Sequence, residues 1–237
     1  MTSSIAVADT WTEQRPGPRA VLLDLDGTLV DTEGLWWAAE TEVFAGLGHV
    51  LDDAHREVVV GGPMSRSVGH LISVTGTTAT LAELTVLINA RFEALIARGV
   101  PLMPGARRLL TELSAHGVPT ALVSASHRRT IDAMLRWLGP EHFAFTVAGD
   151  EVGRTKPDPE PYLTAAARLG ADPADCVVVE DTRTGVAAAE AAGCRVVVVP
   201  SVVPIEPAPG RTVVRSLEEV GVPFLRSLPS AVNTRIH

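Results

Sequence analysis

Ala20-Val21-Leu22-Leu23-Asp24-Leu25-Asp26-Gly27-Thr28 is the stretch from which the rest of the chain is read. Its unbroken apolar run, without the alternation of a half-exposed strand, suits a strand covered on both faces, as in a parallel sheet. The run ends in an acidic, glycine-containing turn, which puts two aspartates at the C-terminal end of that strand. Four similar runs follow at 118–123, 144–148, 176–179 and 196–199, with a weaker candidate at 212–214. Helical patterns lie between them at 106–116, 130–138, 160–169 and 185–192, stopped by Gly117, Gly139, Gly170 and Gly193. Strand alternating with helix predicts an α/β fold: a Rossmann-like parallel sheet core with helices on both faces.

Residues 32–103 break this rhythm. Helical periodicity at 35–47, 54–60, 65–74 and 81–96, with no convincing strand between, predicts a helical cap domain inserted after the first strand. The expected organisation is a flexible N-terminal extension at 1–19, a catalytic core of 20–31 with 104–227, the cap at 32–103 and a frayed tail at 228–237.

In an open α/β sheet, ligands bind beyond the carboxyl ends of the strands. The residues that close the apolar runs are Asp24 and Asp26, then Ser124-Ala125-Ser126, then Glu180-Asp181, while Lys156 sits in the loop after the third run. All would converge at one edge of the sheet. Four carboxylates gathered there repel one another unless a cation joins them. An all-oxygen donor set favours a hard ion, Mg2+, and Lys156 with the Ser124 hydroxyl suits a phosphoryl group.

The chain of 237 residues carries 20 basic and 28 acidic residues, a net charge of −8. That balance offers no general grip on nucleic acid or anionic membrane. Nineteen of the basic residues are arginine, and Lys156 is the single lysine. Two cysteines, Cys176 and Cys194, are too few for a disulfide framework and read as reduced core residues. The first 19 residues lack the basic start and apolar run of a signal peptide, and no stretch approaches the ~20 apolar residues of a membrane span. A cytoplasmic, monomeric protein acting on a small phosphorylated metabolite is expected.

The ordered set Asp24-x-Asp26-Gly27-Thr28-Leu29, Ser124, Lys156 and Glu180-Asp181 resembles the haloacid dehalogenase superfamily of phosphohydrolases. The resemblance covers about 21–199, and the helical insertion corresponds to the cap of the phosphoglycolate phosphatase and β-phosphoglucomutase branch. Thr182 stands where that branch usually has serine. The resemblance implies a Mg2+-dependent phosphatase acting through an aspartyl-phosphate on Asp24, with Asp26 as general acid and base. Asp24, the Asp26 carbonyl, Glu180 and Asp181 would hold the metal; Ser124, Ala125, Ser126 and Lys156 would bind the transferring oxygens.

Asp26 argues against dehalogenases, which lack the second aspartate. A cap without lysine argues against phosphonoacetaldehyde hydrolases. A β-phosphoglucomutase remains the alternative, because Arg66 of the cap could hold a second phosphate, though it would equally bind a phosphatase substrate bearing a distal anion, and Trp36 occupies the position where mutases keep a histidine. A catalytically silent binding module is disfavoured by the full acidic set. His127, beside Ser126, is a further candidate for touching substrate.

Overall fold

The computed structural model describes residues 17–59, 64–200 and 204–229. Most of the expected N-terminal extension, Val60 at the end of the second cap pattern, and the tail from 230 onward lie outside the described residues.

Six parallel strands form one sheet: β1 (Ala20–Leu23), β2 (Thr120–Val123), β3 (Phe145–Val147), β4 (Cys176–Glu180), β5 (Arg195–Val198) and β6 (Arg211–Val213). Their spatial order is β3-β2-β1-β4-β5-β6. The winding reverses at β1, so the crevice expected of such sheets opens beyond the carboxyl end of this strand and its two neighbours.

Side chains alternate across the sheet. Val21 and Leu23 face one core layer with Leu122, Val177, Val179 and Val197, whereas Ala20 and Leu22 face the other with Ala121, Val123, Val178 and Val196. The first layer is covered by α5 (Ala106–Ala115), α6 (Arg128–Leu138) and α9 (Val222–Ser227), the second by α7 (Glu160–Arg168) and α8 (Arg183–Ala191). Each buried Leu or Val side chain contributes ~1.5–3 kcal/mol, so two filled layers make the sheet a rigid platform for the residues at its edge.

Four helices occupy the insertion between β1 and α5: α1 (Thr32–Gly46), α2 (Asp53–Val59), α3 (Met64–Thr75) and α4 (Leu81–Arg98). Asp31 starts α1, its carboxylate accepting the Gly34 amide at 2.8 Å. Thr80 and Glu83 cap α4 reciprocally. Leu35, Phe44, Leu84, Ile88 and Phe92 fill the interior between them, and the entering and leaving chains run side by side through hydrogen bonds from Met103 to Leu29 and from Asp31 to Pro101. α4 lies against α6: the Trp137 indole donates to the Ile96 carbonyl at 2.9 Å, and Arg129 pairs with Glu93.

Several edges differ from expectation. β2 begins at Thr120, two residues late, where Pro119 contributes only its carbonyl to the Val21 amide. β6 is one residue early, and α6 begins at Arg128, whose side chain is held by Glu151 and Thr146. α9 was not anticipated; it is a short helix with Pro223 in its first turn, too brief to show a period. Cys176 and Cys194 are buried and unbridged, and burial pushes their thiols up to about 11 and about 12. No helix of the described residues is long and apolar enough to cross a membrane.

Candidate active site

Asp24 follows β1 directly, its amide bonded to the Val179 carbonyl of β4 at 3.0 Å. That bond anchors the backbone of a residue that is only 5% exposed. Two residues on, Asp26 emerges half-buried, and after it Gly27 turns the chain at a φ of 80°, a conformation costly for any side-chain-bearing residue. Thr28, fully buried, donates to Asp181 at 3.2 Å.

Lys156 reaches in from the loop before α7. Its ammonium donates to Asp24 at 2.6 Å, to Glu180 at 2.8 Å and to the Val123 carbonyl at 2.9 Å. All three N–H groups are therefore used, and the side chain is 4% exposed. Burial pulls its pKa down, but Asp24 and Glu180 outweigh it and hold the ammonium well above its ordinary value.

Glu180 ends β4 as an organiser. One of its oxygens takes Lys156 and the Tyr162 hydroxyl at 3.1 Å; the other takes the amides of Asp181 and Thr182 and the Thr182 hydroxyl, at 2.8, 2.8 and 3.0 Å. Burial would raise this carboxyl, yet Lys156 and these bonds keep it below its usual value. Burial pushes Tyr162 well up, which keeps it a phenol and a donor. The Thr182 hydroxyl also accepts the Gly185 amide at 3.1 Å and so caps α8, the service expected of the usual serine. Gly185 cannot carry a side chain here: a Cβ would lie 1.6 Å from the Glu180 carboxylate.

Across the crevice, the Ser124 and Ser126 hydroxyls both donate to one oxygen of Asp26, at 2.9 and 2.8 Å, and the Ser126 amide donates to Ser124 at 2.9 Å. Ala125 is exposed between them. The two aspartates thus live in different surroundings. Asp24 is buried against an ammonium, and Asp26 faces a cleft on a pair of hydroxyls.

Burial pushes Asp24 well above the usual carboxylate range; Lys156 opposes this, while Glu180, Asp181 and Asp26 add to it. Oxygen atoms of Asp24, Glu180 and Asp181 lie within 4.8 Å of one another, all buried. Against four carboxylates, counting Asp26, the set holds one ammonium. A hard divalent cation fits this donor set and this excess of negative charge.

Between the sheet edge and the inserted helices lies a cleft of about 700 Å3, lined by Asp26, Ser126 and His127 from below and by Trp36, Asn89 and Phe92 from above. Trp36 stacks on Phe92 with ring centroids 3.6 Å apart. It is both packing and wall. His127 sits 3.5 Å from Asp150 at the mouth and is largely exposed. Arg66 is not brought to the site: it is exposed on α3 and lines neither this cleft nor the neighbouring cavity. Tyr162 and Gly185 received no role from sequence reasoning, although Tyr162 is the chain's single tyrosine, six residues after its single lysine.

Similarity to known proteins agrees with this arrangement. Residues 18–193 match the haloacid dehalogenase-like hydrolase family. The chain is 36% identical over 183 residues to the bifunctional riboflavin kinase/FMN phosphatase of Arabidopsis thaliana, covering 76% of this chain and 48% of that protein, so it spans about half of that relative's length. It is 30% identical to hexitol phosphatase B of Escherichia coli K12 over 77% of this chain and 83% of the relative. Among solved structures it is similar to a variant of CbbY from Rhodobacter sphaeroides in complex with xylulose 1,5-bisphosphate, with a TM-score of 0.69 and 29% identity over 89% of this chain and 100% of that one. On the family match and these identities, with the Asp24, Lys156 and Glu180 cluster in place at the carboxyl edge of the sheet, the chain belongs to the haloacid dehalogenase-like hydrolases.

Proposed function

We propose that the chain is a magnesium-dependent phosphatase of small phosphomonoesters in which Asp24 is the nucleophile. The observation that carries this reading is the contrast between the two aspartates: Asp24 is locked against Lys156 at 2.6 Å, while Asp26 looks into the cleft from two serine hydroxyls. One group is fixed for attack, and the other is placed to exchange a proton with the leaving group.

In the first step an Asp24 oxygen bonds to phosphorus as the ester P–O bond breaks, and Asp26 gives its proton to the departing alkoxide. In the second, Asp26 takes a proton from water as that water attacks phosphorus, releasing inorganic phosphate and the Asp24 carboxylate. Lys156, whose three N–H groups are already committed, acts on the phosphoryl group by its charge and keeps Asp24 oriented. The Ser124 and Ser126 hydroxyls, which donate to Asp26, would turn to phosphoryl oxygens when these enter, beside the exposed Ala125 between them. Asp24, Asp181 and the Asp26 carbonyl would hold Mg2+, with Glu180 beside them; when bound, the ion supplies positive charge against the phosphoryl oxygens and the crowded carboxylates.

Helices α1 to α4 act as the cap that closes over the leaving group. Trp36 stacked on Phe92 supports hydrolysis over a mutase reaction, since the cleft presents an indole where a mutase would present an imidazole. Phosphate release from a panel of phosphorylated metabolites tests the reading. Activity with Mg2+ that vanishes in excess EDTA and in Asp24→Asn is expected; undiminished release from metal-free protein, or from the variant, refutes it.

A further inference from the structure

Beside the cleft, within the inserted helices, lies a second cavity of about 420 Å3, walled by Glu33, Trp36, Trp37, Glu40, Ser67 and Asn89 among others. Trp36 and Asn89 line both cavities, so the two meet at these side chains. A substrate in the cleft, which carries Asp26 and Ser126 on its floor, therefore has this space directly behind the Trp36 and Asn89 side chains.

Glu40 is the unusual member of the wall. It lies on α1 within the inward face that also holds Leu35, Ala39 and Phe44, and it is 5% exposed. No hydrogen bond reaches its carboxyl among the described residues. Burial, reinforced by repulsion from Glu33, pushes it up to about 7. A buried polar group without a partner is destabilising and calls for an explanation. The neighbours offer none: Ser67 donates to the Val59 carbonyl at 3.0 Å and Thr85 to the Leu81 carbonyl at 2.7 Å.

The charges on the surrounding helices also point elsewhere. Arg91 of α4 pairs with Glu42, Glu83 caps α4, and Arg66 and His70 of α3 do not line the cavity. A second phosphate or carboxylate entering here would meet the Glu40 carboxyl, with no lysine or arginine among the described residues that line the cavity. A hydroxyl meets a carboxyl that can accept its proton or donate to its oxygen, and a carbon skeleton meets the indoles of Trp36 and Trp37. We propose, resting on the phosphatase reading above, that this cavity receives the leaving group and that Glu40 selects an uncharged, hydroxyl-bearing one. The favoured substrate class is then the sugar or polyol monophosphate, with bisphosphates and carboxylated esters rejected. This departs from the xylulose 1,5-bisphosphate held in the CbbY structure.

The test compares kcat/KM for sorbitol 6-phosphate, fructose 1,6-bisphosphate, phosphoglycolate, phosphoethanolamine and 4-nitrophenyl phosphate on wild type, Glu40→Gln and Glu40→Leu. Using ratios between substrates on one protein cancels any change in catalytic competence. Wild type should prefer sorbitol 6-phosphate over both esters bearing a second anion by at least ~10-fold, the factor that one hydrogen bond supplies. Glu40→Leu should lower kcat/KM for sorbitol 6-phosphate relative to nitrophenyl phosphate by about the same ~10-fold, mostly through KM. Glu40→Gln, which removes the charge and keeps hydrogen-bonding atoms, should narrow the discrimination against the bisphosphate. Preference of the wild type for a second anion or for the ammonium ester overturns the proposal, as do substrate ratios unchanged in both variants. Nitrophenyl phosphate turnover without any ranking refutes the cavity's role and leaves the phosphatase reading standing; no phosphate release from any ester refutes that reading itself.

Discussion

Gly185→Ala sets two opposing effects of known size against each other. In a helix, alanine is favoured over glycine by up to ~1 kcal/mol, so propensity alone predicts a stabilised protein. The structure predicts the reverse. A Cβ at 185 would lie 1.6, 2.0 and 2.4 Å from three carboxyl atoms of Glu180, a side chain that is 1% exposed and cannot swing into solvent. Relieving the overlap requires the carboxylate or the first turn of α8 to move by well over an ångström. Such a move breaks the bonds to Lys156 and Tyr162 on the oxygen nearest the new methyl group. Hydrogen bonds to charged groups contribute ~1.5–3 kcal/mol each, and disrupting a buried ion pair costs ~3–5 kcal/mol. Subtracting the helix gain leaves a loss of ~2–4 kcal/mol. Urea unfolding followed by circular dichroism should show a midpoint at least ~0.7 M lower, given slopes of ~1–3 kcal/mol per molar. Gly69→Ala is the control, because nothing lies within 4 Å of a Cβ at that helical position, and it should be neutral or stabilising. A midpoint for Gly185→Ala equal to or above wild type would refute the claim that Glu180 occupies the space beside residue 185.

Lys156→Arg should lower kcat/KM by at least ~10-fold, because a planar guanidinium cannot direct three N–H groups at Asp24, Glu180 and the Val123 carbonyl from the place of one nitrogen; wild-type kinetics would mean that the charge alone suffices. Asp26→Asn should lose ~10²–10⁴-fold on an alkyl phosphate and much less on 4-nitrophenyl phosphate, whose leaving group hardly needs a proton; equal losses on the two esters would rule out the proton-transfer role.

The sheet was legible because its strands are buried on both faces and so read as bare apolar runs, and because three of the runs stop at a polar residue that faces the crevice. Asp24, Ser124 and Glu180 were found in this way, from position alone. What the pattern could not show is how those residues bind one another. Glu180 reads as one of several possible metal ligands, yet five hydrogen bonds bind it to Lys156, Tyr162 and the start of α8, which makes it the joint that holds the ammonium against Asp24. Tyr162 was invisible in that role because a helix-borne tyrosine after a proline-rich loop looks like ordinary core. The inserted helices were harder still. Their periodicity predicts four helices but says little about which faces meet, so Arg66 could be assigned to the substrate while Glu40, in a stripe otherwise apolar, passed unremarked. The signal was there: an acidic residue four positions after Trp36 and four before Phe44, on a face that must be buried, has to find a partner in the protein or in a ligand. Motifs at the sheet edge report shared chemistry because phosphoryl transfer makes the same demands of every strand end. On the proposed role of Glu40, the identity of the leaving group is written instead in an exception to helix patterning, a polar side chain that sits in an apolar stripe and lines a cavity.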